Sequence, residues 1–452
     1  TGMGRTAMAL RVTVIGTGYL GATHAACMAE CGFQVLGVDV DQGKVATLSQ
    51  GQVPFYEPDL AELIQRNVSL GRLRFTTSMA EAAAFGDVHF LCVGTPQFPG
   101  GLGADLSQVH GAISELGPHL QRQCLVVGKS TVPVGTAERL VARLAELAPA
   151  GGDVELAWNP EFLREGYAVK DTLRPDRIVV GTRSSLAEKI LRELYSVQLE
   201  DGVPFIATDL TTAELVKVAA NSFLATKLSF INAMSEVCEL TGANVTELAH
   251  ALGYDQRIGK SYLKAGLGFG GGCLPKDIRA FMARAEELGV DQIVALLSEV
   301  DKINLRSRSR MIDLARQQCG GDVSGKRIGV FGAAFKPRSD DVRDSPALSV
   351  AVELQSQGAA VCIYDPAANA NAQALFPSLE YAACAVDAAS GADLLLHMTE
   401  WDEFRALDPE ELSGVVQSKR IVDGRNALDA EKWRLAGWSF RALGAANAGQ
   451  AP

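Results

Sequence analysis

Short runs of apolar and β-branched residues alternate with helical patterns of apolar and polar positions over the first two hundred residues of the chain. Such alternation is typical of a parallel sheet whose strands are joined by crossover helices. The runs predict six strands, at Val12–Ile15, Gln34–Val38, Val88–Val93, Cys124–Lys129, Glu155–Trp158 and Ile178–Val180.

The middle third of the chain has a helical pattern without an obvious strand. Thr211 and Glu214 have the spacing of a capping box, in which Thr211 is the N-cap and Glu214 reaches back to it. Helical periodicity continues from there to about Leu240, and a second long helical stretch runs from Asp291 to about Gln318. We therefore predict an all-helical middle.

Strand patterns return after the pair Gly320 and Gly321, at Arg327–Phe331, Val361–Tyr364, Leu394–His397 and Arg420–Val422. The segment RIGVFGAAFKP, which opens this part, is similar to RVTVIGTGYLG near the start of the chain. The sequence thus predicts an α/β protein with two Rossmann-like, doubly wound parallel-sheet domains joined by a central all-helical domain. The predicted bounds are 8–208, 209–319 and 320–443, followed by a flexible tail at 444–452.

Composition narrows the classes of partner. The 452 residues include 42 Lys and Arg against 53 Asp and Glu, a formal net charge of −11, and no stretch concentrates basic residues into a stripe for a phosphate backbone. Nucleic acid is therefore not an expected partner. No apolar stretch approaches the ~18 residues of a membrane span, so no membrane association is expected. The nine cysteines are irregularly spaced and form no zinc-type cluster, which favours a reducing compartment, the cytoplasm, and no metal.

A glycine-rich turn follows the first predicted strand. Gly16, Gly18 and Gly21 have the G-x-G-x-x-G spacing, and Asp39 ends the second strand. In a dinucleotide-binding fold these glycines allow a tight turn, close approach of a pyrophosphate and close helix packing, while the acid accepts ribose hydroxyls. The pattern predicts NAD rather than NADP, and its alternative is a purely structural turn. Lys44 lies either near the adenosine or on the surface.

Three further loops each follow a predicted strand: Gly94–Pro96, Lys129–Thr136 and Asn159–Gly166. In a doubly wound sheet, ligands bind beyond the carboxyl ends of the strands, so these loops are expected at the cofactor crevice. Glu161 and Glu165 are one helical turn apart in the third loop. Each loop alone is equally consistent with an ordinary polar turn.

Lys217 and Asn221 are spaced i,i+4 in a nearly apolar helical stretch, and so project from one helix face. A cation there can stabilise an alkoxide or accept its proton, and an amide can orient a hydroxyl or a water. The alternative is a lysine whose stem lies along the surface with its charge in water, beside a surface asparagine.

Residues 266–272 contain five glycines and precede Cys273, Lys276 and Asp277. Pro275 fits the first position of a helix, so Cys273 is expected just before a helix N-terminus, where the dipole and Lys276 favour the thiolate. A thiolate that attacks an aldehyde forms a thiohemiacetal, which a second hydride transfer converts to a thioester for hydrolysis. An NAD-dependent enzyme with this nucleophile would oxidise an alcohol to an acid.

The assembled motifs resemble those of the UDP-glucose/GDP-mannose dehydrogenase family of nucleotide-sugar dehydrogenases, from Arg11 to about Leu443, and most closely its members that act on UDP-glucose. The matching segments are GTGYLG at 16, GTP at 94, KSTVPVGT at 129, NPEFLREG at 159, ELVKVAANSFLATK at 214, GFGGGCLPKD at 268, FKP at 335 with DDVRDSP after it, and YDP at 364. The resemblance implies an NAD domain, a helical middle that forms a homodimer, and a C-terminal domain for the nucleotide sugar.

The resemblance also implies site residues. Cys273 is implied as the nucleophile, with Lys217, Asn221 and Asp277 around the reacting hydroxyl and Thr131 and Glu161 serving the hydrolytic water. Contacts to NAD are implied for Gly16, Gly18, Tyr19, Leu20, Gly21, Asp39, Lys44, Thr95, Thr131, Glu165 and Arg343. Contacts to the nucleotide sugar are implied for Glu161, Phe162, Leu163, Arg164, Glu165, Lys217, Asn221, Arg257 from the neighbouring subunit, Tyr262, Lys264, Gly266, Gly270, Phe335, Lys336 and Arg425.

Several alternatives remain open at this point. Leu274 stands where members acting on UDP-glucose often have Phe, and Gly272 where Ser is common, so TDP-glucose, GDP-mannose and UDP-N-acetylmannosamine stay as alternative substrates. A two-electron hydroxyacid dehydrogenase would share the Lys217 and Asn221 helix without needing Cys273. A non-catalytic NAD-binding protein would need only the fingerprint. The second half has Gly332-Ala-Ala in place of a full fingerprint, so we expect it to bind the substrate nucleotide.

Overall fold

The computed structural model describes residues 10–445. Of the predicted tail, only residues 444 and 445 are among the described residues. Residues 8 and 9 of the first predicted domain lie outside them. The chain divides into two compact units between Ala220 and Asn221, a boundary that falls inside one long helix. The division into three domains stays a prediction.

The first unit is an alternation of strands and helices. Its strands are β1 (Arg11–Ile15), β2 (Gln34–Val38), β3 (Leu73–Thr76), β4 (Val88–Leu91), β5 (Cys124–Gly128), β6 (Val154–Trp158), β7 (Ile178–Gly181) and β8 (Phe205–Thr208). Its helices are α1 (Tyr19–Glu30), α2 (Gln42–Ser49), α3 (Leu60–Ser69), α4 (Met79–Phe85), α5 (Ser107–Leu116), α6 (Thr136–Leu147), α7 (Ala168–Leu173), α8 (Ser185–Leu194), α9 (Ser196–Glu200) and the first part of α10 (Leu210–Thr241).

These strands form one sheet in the order β3-β2-β1-β4-β5-β6-β7-β8. All neighbours are parallel except β6 and β7, which pair antiparallel at Trp158 and Gly181. Side chains alternate between two buried clusters, with Val14 in one and Ile15 in the other, because helices cover both faces. The loops after β1, β2, β4, β5 and β6 therefore share one edge of the sheet, as predicted for the cofactor crevice.

The second unit contains the rest of α10, then α11 (Val245–Gly253), α12 (Leu274–Glu287) and α13 (Asp291–Gln318). A second α/β part follows, with β9 (Arg327–Phe331), α14 (Pro346–Ser356), β10 (Ala360–Tyr364), α15 (Asn369–Leu375), β11 (Glu380–Tyr381), α16 (Ala385–Ala389), β12 (Leu394–His397), α17 (Asp402–Arg405), α18 (Pro409–Ser413), β13 (Arg420–Asp423), α19 (Ala430–Leu435) and β14 (Ser439–Ala442). Its sheet is fully parallel, in the order β11-β10-β9-β12-β13-β14. That order is the dinucleotide-binding arrangement.

The fold class is confirmed, with two nucleotide-fold sheets and long helices between them along the chain. The strands that the sequence pattern missed are β3, β8, β11 and β14, each at an edge of its sheet. Edge strands are short and partly exposed, so they lack the continuous apolar run that identifies a central strand.

The capping box predicted for Thr211 and Glu214 is wrong. α10 begins at Leu210, two residues earlier than this box requires, and the Asp209 carboxylate accepts the Thr212 backbone N–H at 2.8 Å in the capping role. Glu214 instead accepts the N–H groups of Gly135 and Ala137 at 2.7 and 2.6 Å, at the start of α6. The N–H groups at the start of a helix have no acceptor within that helix and favour a nearby carboxylate. Glu214 therefore caps α6 and not its own helix, α10.

Candidate active site

The fingerprint turn has the geometry that a dinucleotide requires. Gly16 follows β1 with a φ of +87°, and a side chain on Gly21 would place its Cβ 1.7 Å from the Gly16 carbonyl oxygen. Gly18 precedes the first helical residue of α1, and no atom lies within 4 Å of the position its Cβ would take. The residues present therefore fit NAD, because open space meets a helix N-terminus where the pyrophosphate would lie.

Asp39 follows β2 and lies close to the same turn. Its Oδ2 accepts the Thr17 backbone N–H at 2.8 Å, the Thr17 hydroxyl at 2.9 Å and the Lys44 ammonium at 3.0 Å. Burial alone would raise the pKa of Asp39, but the donors from Thr17, Asp41 and Lys44 outweigh it and lower the pKa. The carboxylate is therefore ionised and in place to accept ribose hydroxyls. Lys44 forms an ion pair with it.

The loops after β4, β5 and β6 are tied together by side chains. The Thr95 hydroxyl donates to the Thr131 carbonyl at 2.8 Å, and Ser130 donates to the Val93 carbonyl at 2.6 Å. The Lys129 ammonium is buried and donates to the Asn159 side-chain oxygen at 3.1 Å. Burial lowers the pKa of Lys129. The structure thus brings Thr95 and Thr131 to one edge, as predicted.

Lys217 and Glu161 form a buried ion pair within the first unit. The Lys217 Nζ lies 3.1 Å from Glu161 Oε1, and the two side chains are 5% and 11% exposed. The other Glu161 oxygen accepts the Leu163 backbone N–H at 2.8 Å, which fixes the carboxylate. The surface-lysine alternative is therefore wrong. A buried ammonium beside a carboxylate can exchange a proton and can stabilise a developing anion.

The rest of the 159–166 loop is held by a residue that the sequence pattern did not single out. Glu57 accepts the N–H groups of Gly166 and Ala168, each at 2.7 Å, and the Tyr19 hydroxyl. Burial raises the pKa of Tyr19. A carboxylate inside the stretch Phe55–Pro58 was the available signal, because an acid amid apolar residues needs partners.

The remaining residues of this loop differ in burial. Glu165 is buried, whereas Arg164 is exposed and forms a two-fold ion pair with Asp171 at 2.8 and 2.7 Å. The Phe162 ring lies 4.0 Å from the Arg177 guanidinium carbon, measured to the ring centroid. Leu163 is partly buried. Arg164, for which the resemblance implies a contact to the nucleotide sugar, therefore already has Asp171 as an ion-pair partner.

In the second unit Cys273 is the N-cap residue of α12, with an exposed side chain. Asp277, one turn into the helix, accepts the Asn221 side-chain N–H at 2.7 Å and the Lys276 ammonium at 2.6 Å. Asp277 is buried, so these two donors compensate its charge. The structure thus places Asn221, Lys276 and Asp277 in one network at the helix end that bears Cys273. Pro275 is the second helical residue instead of the first, because Leu274 begins the helix.

The glycine segment 266–272 packs against Phe335, an implied substrate contact, and Arg343, an implied NAD contact. Cβ atoms on Gly271 and Gly272 would lie 2.7 Å from the Phe335 ring and 2.2 Å from the Arg343 guanidinium carbon. Gly266 donates its N–H to the Asn232 side chain at 2.8 Å, a contact that the sequence pattern missed. The Arg343 guanidinium pairs with Asp341 at 2.6 Å.

The other basic residues proposed as substrate ligands differ in their surroundings. The Arg425 guanidinium donates to the carbonyls of Met398 and Gly268 at 2.7 and 2.8 Å, and to that of Phe335 at 3.3 Å. The Lys336 ammonium lies 5.3 Å from the Phe335 ring centroid, and Tyr262, with a φ of +63°, is partly buried. Lys264 is exposed, and Arg257, 89% exposed at its side chain, pairs with Asp255 at 2.7 Å.

Two negative findings concern the described chain. Within residues 10–445, no helix combines the length and the apolar composition that crossing a membrane would require. The same stretch brings together no group of three or more His, Cys, Asp or Glu side chains that could hold a metal ion. All nine cysteines lie in it, and none takes part in a disulfide.

A fingerprint turn that fits NAD, a buried Lys–Glu pair and a second nucleotide-fold sheet define the class as an NAD-dependent dehydrogenase. Sequence profiles of three domains match in order: the NAD binding domain of the UDP-glucose/GDP-mannose dehydrogenase family at residues 10–198, its central domain at 211–306 and its UDP binding domain at 329–430. The chain belongs to this family.

Individual relatives agree with that assignment. The chain is 41% identical over 437 residues to UDP-glucose 6-dehydrogenase of Rhizobium meliloti, covering 96% of this chain and 99% of that protein. The structure of a UDP-glucose dehydrogenase from Pyrobaculum islandicum superposes with a TM-score of 0.90 at 36% identity, covering 98% and 100% of the two chains. That of a UDP-D-ManNAc dehydrogenase from Pyrococcus horikoshii gives 0.84 at 27% identity, covering 96% and 99%.

Proposed function

We propose that this enzyme oxidises the C6 hydroxyl of UDP-glucose to a carboxylate, giving UDP-glucuronate, with NAD as the oxidant. The observation that carries the proposal is the exposed Cys273 thiol at the N-terminus of α12, in a chain of this dehydrogenase family. A dehydrogenase that stopped at the aldehyde would not need a nucleophile there. The relatives named for UDP-glucose are 41% and 36% identical, against 27% for the relative named for UDP-D-ManNAc, which favours UDP-glucose.

The proposal divides binding between the two sheets. The fingerprint glycines, Asp39 and the loops after β4, β5 and β6 hold NAD, which accepts a hydride when bound. Phe335 and Lys336, in the part of the chain matched by the family's UDP binding domain, and the glycine segment 266–272, in the part matched by its central domain, hold the nucleotide sugar. Arg425 ties the two segments together, because its guanidinium donates to the carbonyls of Gly268 and Phe335 as well as to that of Met398.

In the first oxidation the sugar hydroxyl loses a proton and C6 loses a hydride. The proposal assigns Asn221 and Asp277 to orienting the hydroxyl and accepting its proton, and Lys217 to stabilising the alkoxide. Support comes from the hydrogen bond between Asn221 and Asp277 in one unit and from the Lys217–Glu161 ion pair in the other. The product of this half-reaction is an aldehyde.

In the second oxidation the Cys273 thiolate adds to the aldehyde carbon, and the new S–C bond gives a thiohemiacetal. Loss of a second hydride forms a thioester, and water then cleaves its S–C bond to release the acid and the thiol. The proposal assigns Glu161 to accepting a proton from this water and Thr131 to positioning it. Glu161 is supported in that role by its fixed geometry, because Leu163 and Lys217 hold both of its oxygens.

A panel of nucleotide sugars tests the proposal. With NAD in excess, UDP-glucose is expected to give the highest kcat/KM and about two NADH per sugar. A higher kcat/KM with TDP-glucose, GDP-mannose or UDP-N-acetylmannosamine would reassign the substrate and keep the chemistry. One NADH per substrate would favour the two-electron alternative, and NAD binding without any turnover would favour the non-catalytic one.

Two variants test the roles of the side chains. Cys273→Ser is expected to abolish net acid formation, whereas Cys384→Ser, at a partly buried thiol elsewhere, retains it. Lys217→Ala is expected to reduce kcat sharply and leave the Kd for NAD unchanged. Full turnover in Cys273→Ser would remove the thioester from the proposal.

We also infer a homodimer in which Arg257 contributes to the neighbouring subunit's site, supported by the exposure of this side chain. Light scattering gives the oligomeric state. Mixed dimers of Arg257→Ala and Cys273→Ala subunits are expected to regain part of the activity that each variant lacks, because one site then has both wild-type residues. No recovery in subunit-exchanged mixtures would argue that Arg257 acts within its own subunit.

A further inference from the structure

The glycine segment 266–272 raises a physical question about Cys273. Glycine loses more conformational freedom on folding than any other residue, so a segment with five glycines resists being held in one conformation. A nucleophile needs a fixed position, because a displacement of about 1 Å can cost roughly a hundredfold in rate. Something must therefore hold the segment that leads into Cys273.

Asn304, on α13, bonds to both backbone groups of one residue in the middle of the segment. Its side-chain oxygen accepts the Phe269 N–H at 2.7 Å, and its side-chain N–H donates to the Phe269 carbonyl at 3.0 Å. This is the pairing that a neighbouring β-strand would provide. Asn304 is 0% exposed, so no water competes for these hydrogen bonds.

The segment is packed tightly around this pairing. Gly268 has a φ of +91°, and a Cβ there would lie 2.4 Å from the Asn304 side-chain oxygen. One turn along α13, the Arg308 guanidinium donates to Asp344 Oδ1 at 2.9 Å and to the carbonyls of Asp344 and Phe269 at 3.3 and 3.4 Å. The Asp344 carbonyl oxygen in turn lies 2.2 Å from the position that a Cβ on Gly270 would take. Asn304 is thus the centre of a buried clamp.

The position of Asn304 along α13 also sets it apart. The buried face of this helix includes Leu297, Val300, Met311 and Leu314, and Asn304 falls in the same register. A polar amide among apolar neighbours is costly unless both its groups are bonded. Here the bonds are made to the glycine segment, so the amide serves that segment and not the helix packing.

We propose that Asn304 is a positioning residue for Cys273: its side-chain amide fixes Phe269, and with it the path of the chain into the N-terminus of α12. This inference rests on the proposed role of Cys273 as the nucleophile. Asn304 itself does not touch the reacting atoms. Its loss would allow the glycine segment several conformations, of which only a fraction would present the thiolate correctly.

Asn304→Asp tests the proposal with a nearly isosteric side chain. The carboxylate still accepts the Phe269 N–H but brings an oxygen against the Phe269 carbonyl. We expect kcat to fall by about tenfold to a hundredfold, the KM for NAD to change less than about twofold, and the rate at which iodoacetamide alkylates Cys273 to change by a similar factor to kcat. Subtracting the rate of a Cys273→Ser background isolates this thiol.

Ser307→Ala is the matched control, because Ser307 is buried on the same helix and its hydroxyl donates to the Ile303 carbonyl one turn back, within that helix. It is expected to leave kcat and the alkylation rate unchanged. If Asn304→Asp does not fold, Asn304→Ser replaces it in the same measurements. The shorter serine hydroxyl cannot bond to both backbone groups of Phe269, so the same effects are expected.

The two proposals fail in different ways. Alkylation of Cys273 does not depend on turnover, so a wild-type protein inactive on every nucleotide sugar would overturn the proposed function and leave the positioning test intact. A variant with a lower Tm but with the wild-type kcat and alkylation rate per folded molecule would show that Asn304 is structural only, and would overturn the inference.

Discussion

The two nucleotide-fold sheets place an aspartate at the same topological position and use it differently. In each sheet a glycine with positive φ follows the first strand, Gly16 after β1 and Gly332 after β9, and an aspartate follows the second, Asp39 after β2 and Asp365 after β10. A shared position in the fold therefore does not settle what the carboxylate does.

Both carboxylate oxygens of Asp365 are already hydrogen-bonded to neighbouring groups of the protein. Its Oδ2 accepts the N–H groups of Ala333 and Ala334 at 2.8 and 3.0 Å and the Trp401 indole N–H at 3.1 Å. Its Oδ1 accepts two more backbone N–H groups, each at 2.9 Å. Asp39, by contrast, is bonded partly by the Lys44 side chain, which can move aside. Of these two aspartates, Asp39 is the one that can exchange a partner for a ribose, which fits the match of its part of the chain to an NAD binding domain.

The largest expected effect is on the stability of the second unit. Asp365→Ala would leave several buried donors without an acceptor, so we expect the free energy of unfolding to fall by about 3 kcal/mol. Three of the four tryptophans, Trp401, Trp433 and Trp438, lie in this unit, so their fluorescence in urea reports it. An unfolding free energy within about 1 kcal/mol of the wild type would show that Asp365 is not structural.

The matching change in the first sheet should affect NAD more than stability. Asp39→Asn keeps the size of the side chain but removes the charge that accepts ribose hydroxyls. We expect the Kd for NAD, measured by calorimetry, to rise by about thirtyfold, or about 2 kcal/mol. The urea midpoint should shift less than for Asp365→Ala. An unchanged Kd would remove Asp39 from the cofactor site.

Gly18→Ala makes the first turn resemble the second, where Ala334 stands at the corresponding position after Gly332. Because no atom lies within 4 Å of a Cβ at Gly18, the apo protein should keep its stability within about 0.5 kcal/mol. The methyl group would instead meet the pyrophosphate, so we expect the Kd for NAD to rise by about tenfold. A loss of stability with intact NAD affinity would contradict this interpretation.

The smallest effect concerns pH and two buried histidines, His89 on β4 and His397 on the corresponding strand β12. Burial lowers the pKa of His89 from 6.5 to about 3, with the charge of Arg122 as a second cause, so the folded state holds it neutral. The unfolded state takes up its proton first, and stability is lost as the pH falls from 6.5 towards 3. His397 differs from His89 in having a carboxylate partner: its Nδ1 lies 2.8 Å from Asp423 Oδ1.

His89→Asn should therefore flatten the acid side of the stability curve. Between pH 7 and 5.5 we expect the variant to lose about 1 kcal/mol less unfolding free energy than the wild type. Urea titrations at the two pH values measure the difference. Equal losses in both proteins would mean that another group controls this range.

Local patterns along the chain were enough for much of the fold. Apolar runs predict the central strands, and glycine spacing predicts the turn at Gly16. The glycines before Cys273 and Pro275 after it predict the exposed position of this cysteine. The edge strands were not predicted, because a half-exposed strand has no continuous apolar run. The predicted role of Glu214 failed because its partners, Gly135 and Ala137, lie far away along the chain.

The sequence by itself determined the fold class, the NAD fingerprint and the candidate nucleophile, since each depends on spacings within a few residues or on strand periodicity. Only the tertiary structure decided which polar groups pair: Lys217 with Glu161, Asn221 with Asp277, Asn304 with the Phe269 backbone, and Asp365 with the Ala333 backbone after β9. These pairs join residues 32 to 56 positions apart. Packing brings them together, and a buried polar group bonds to whatever packing places beside it.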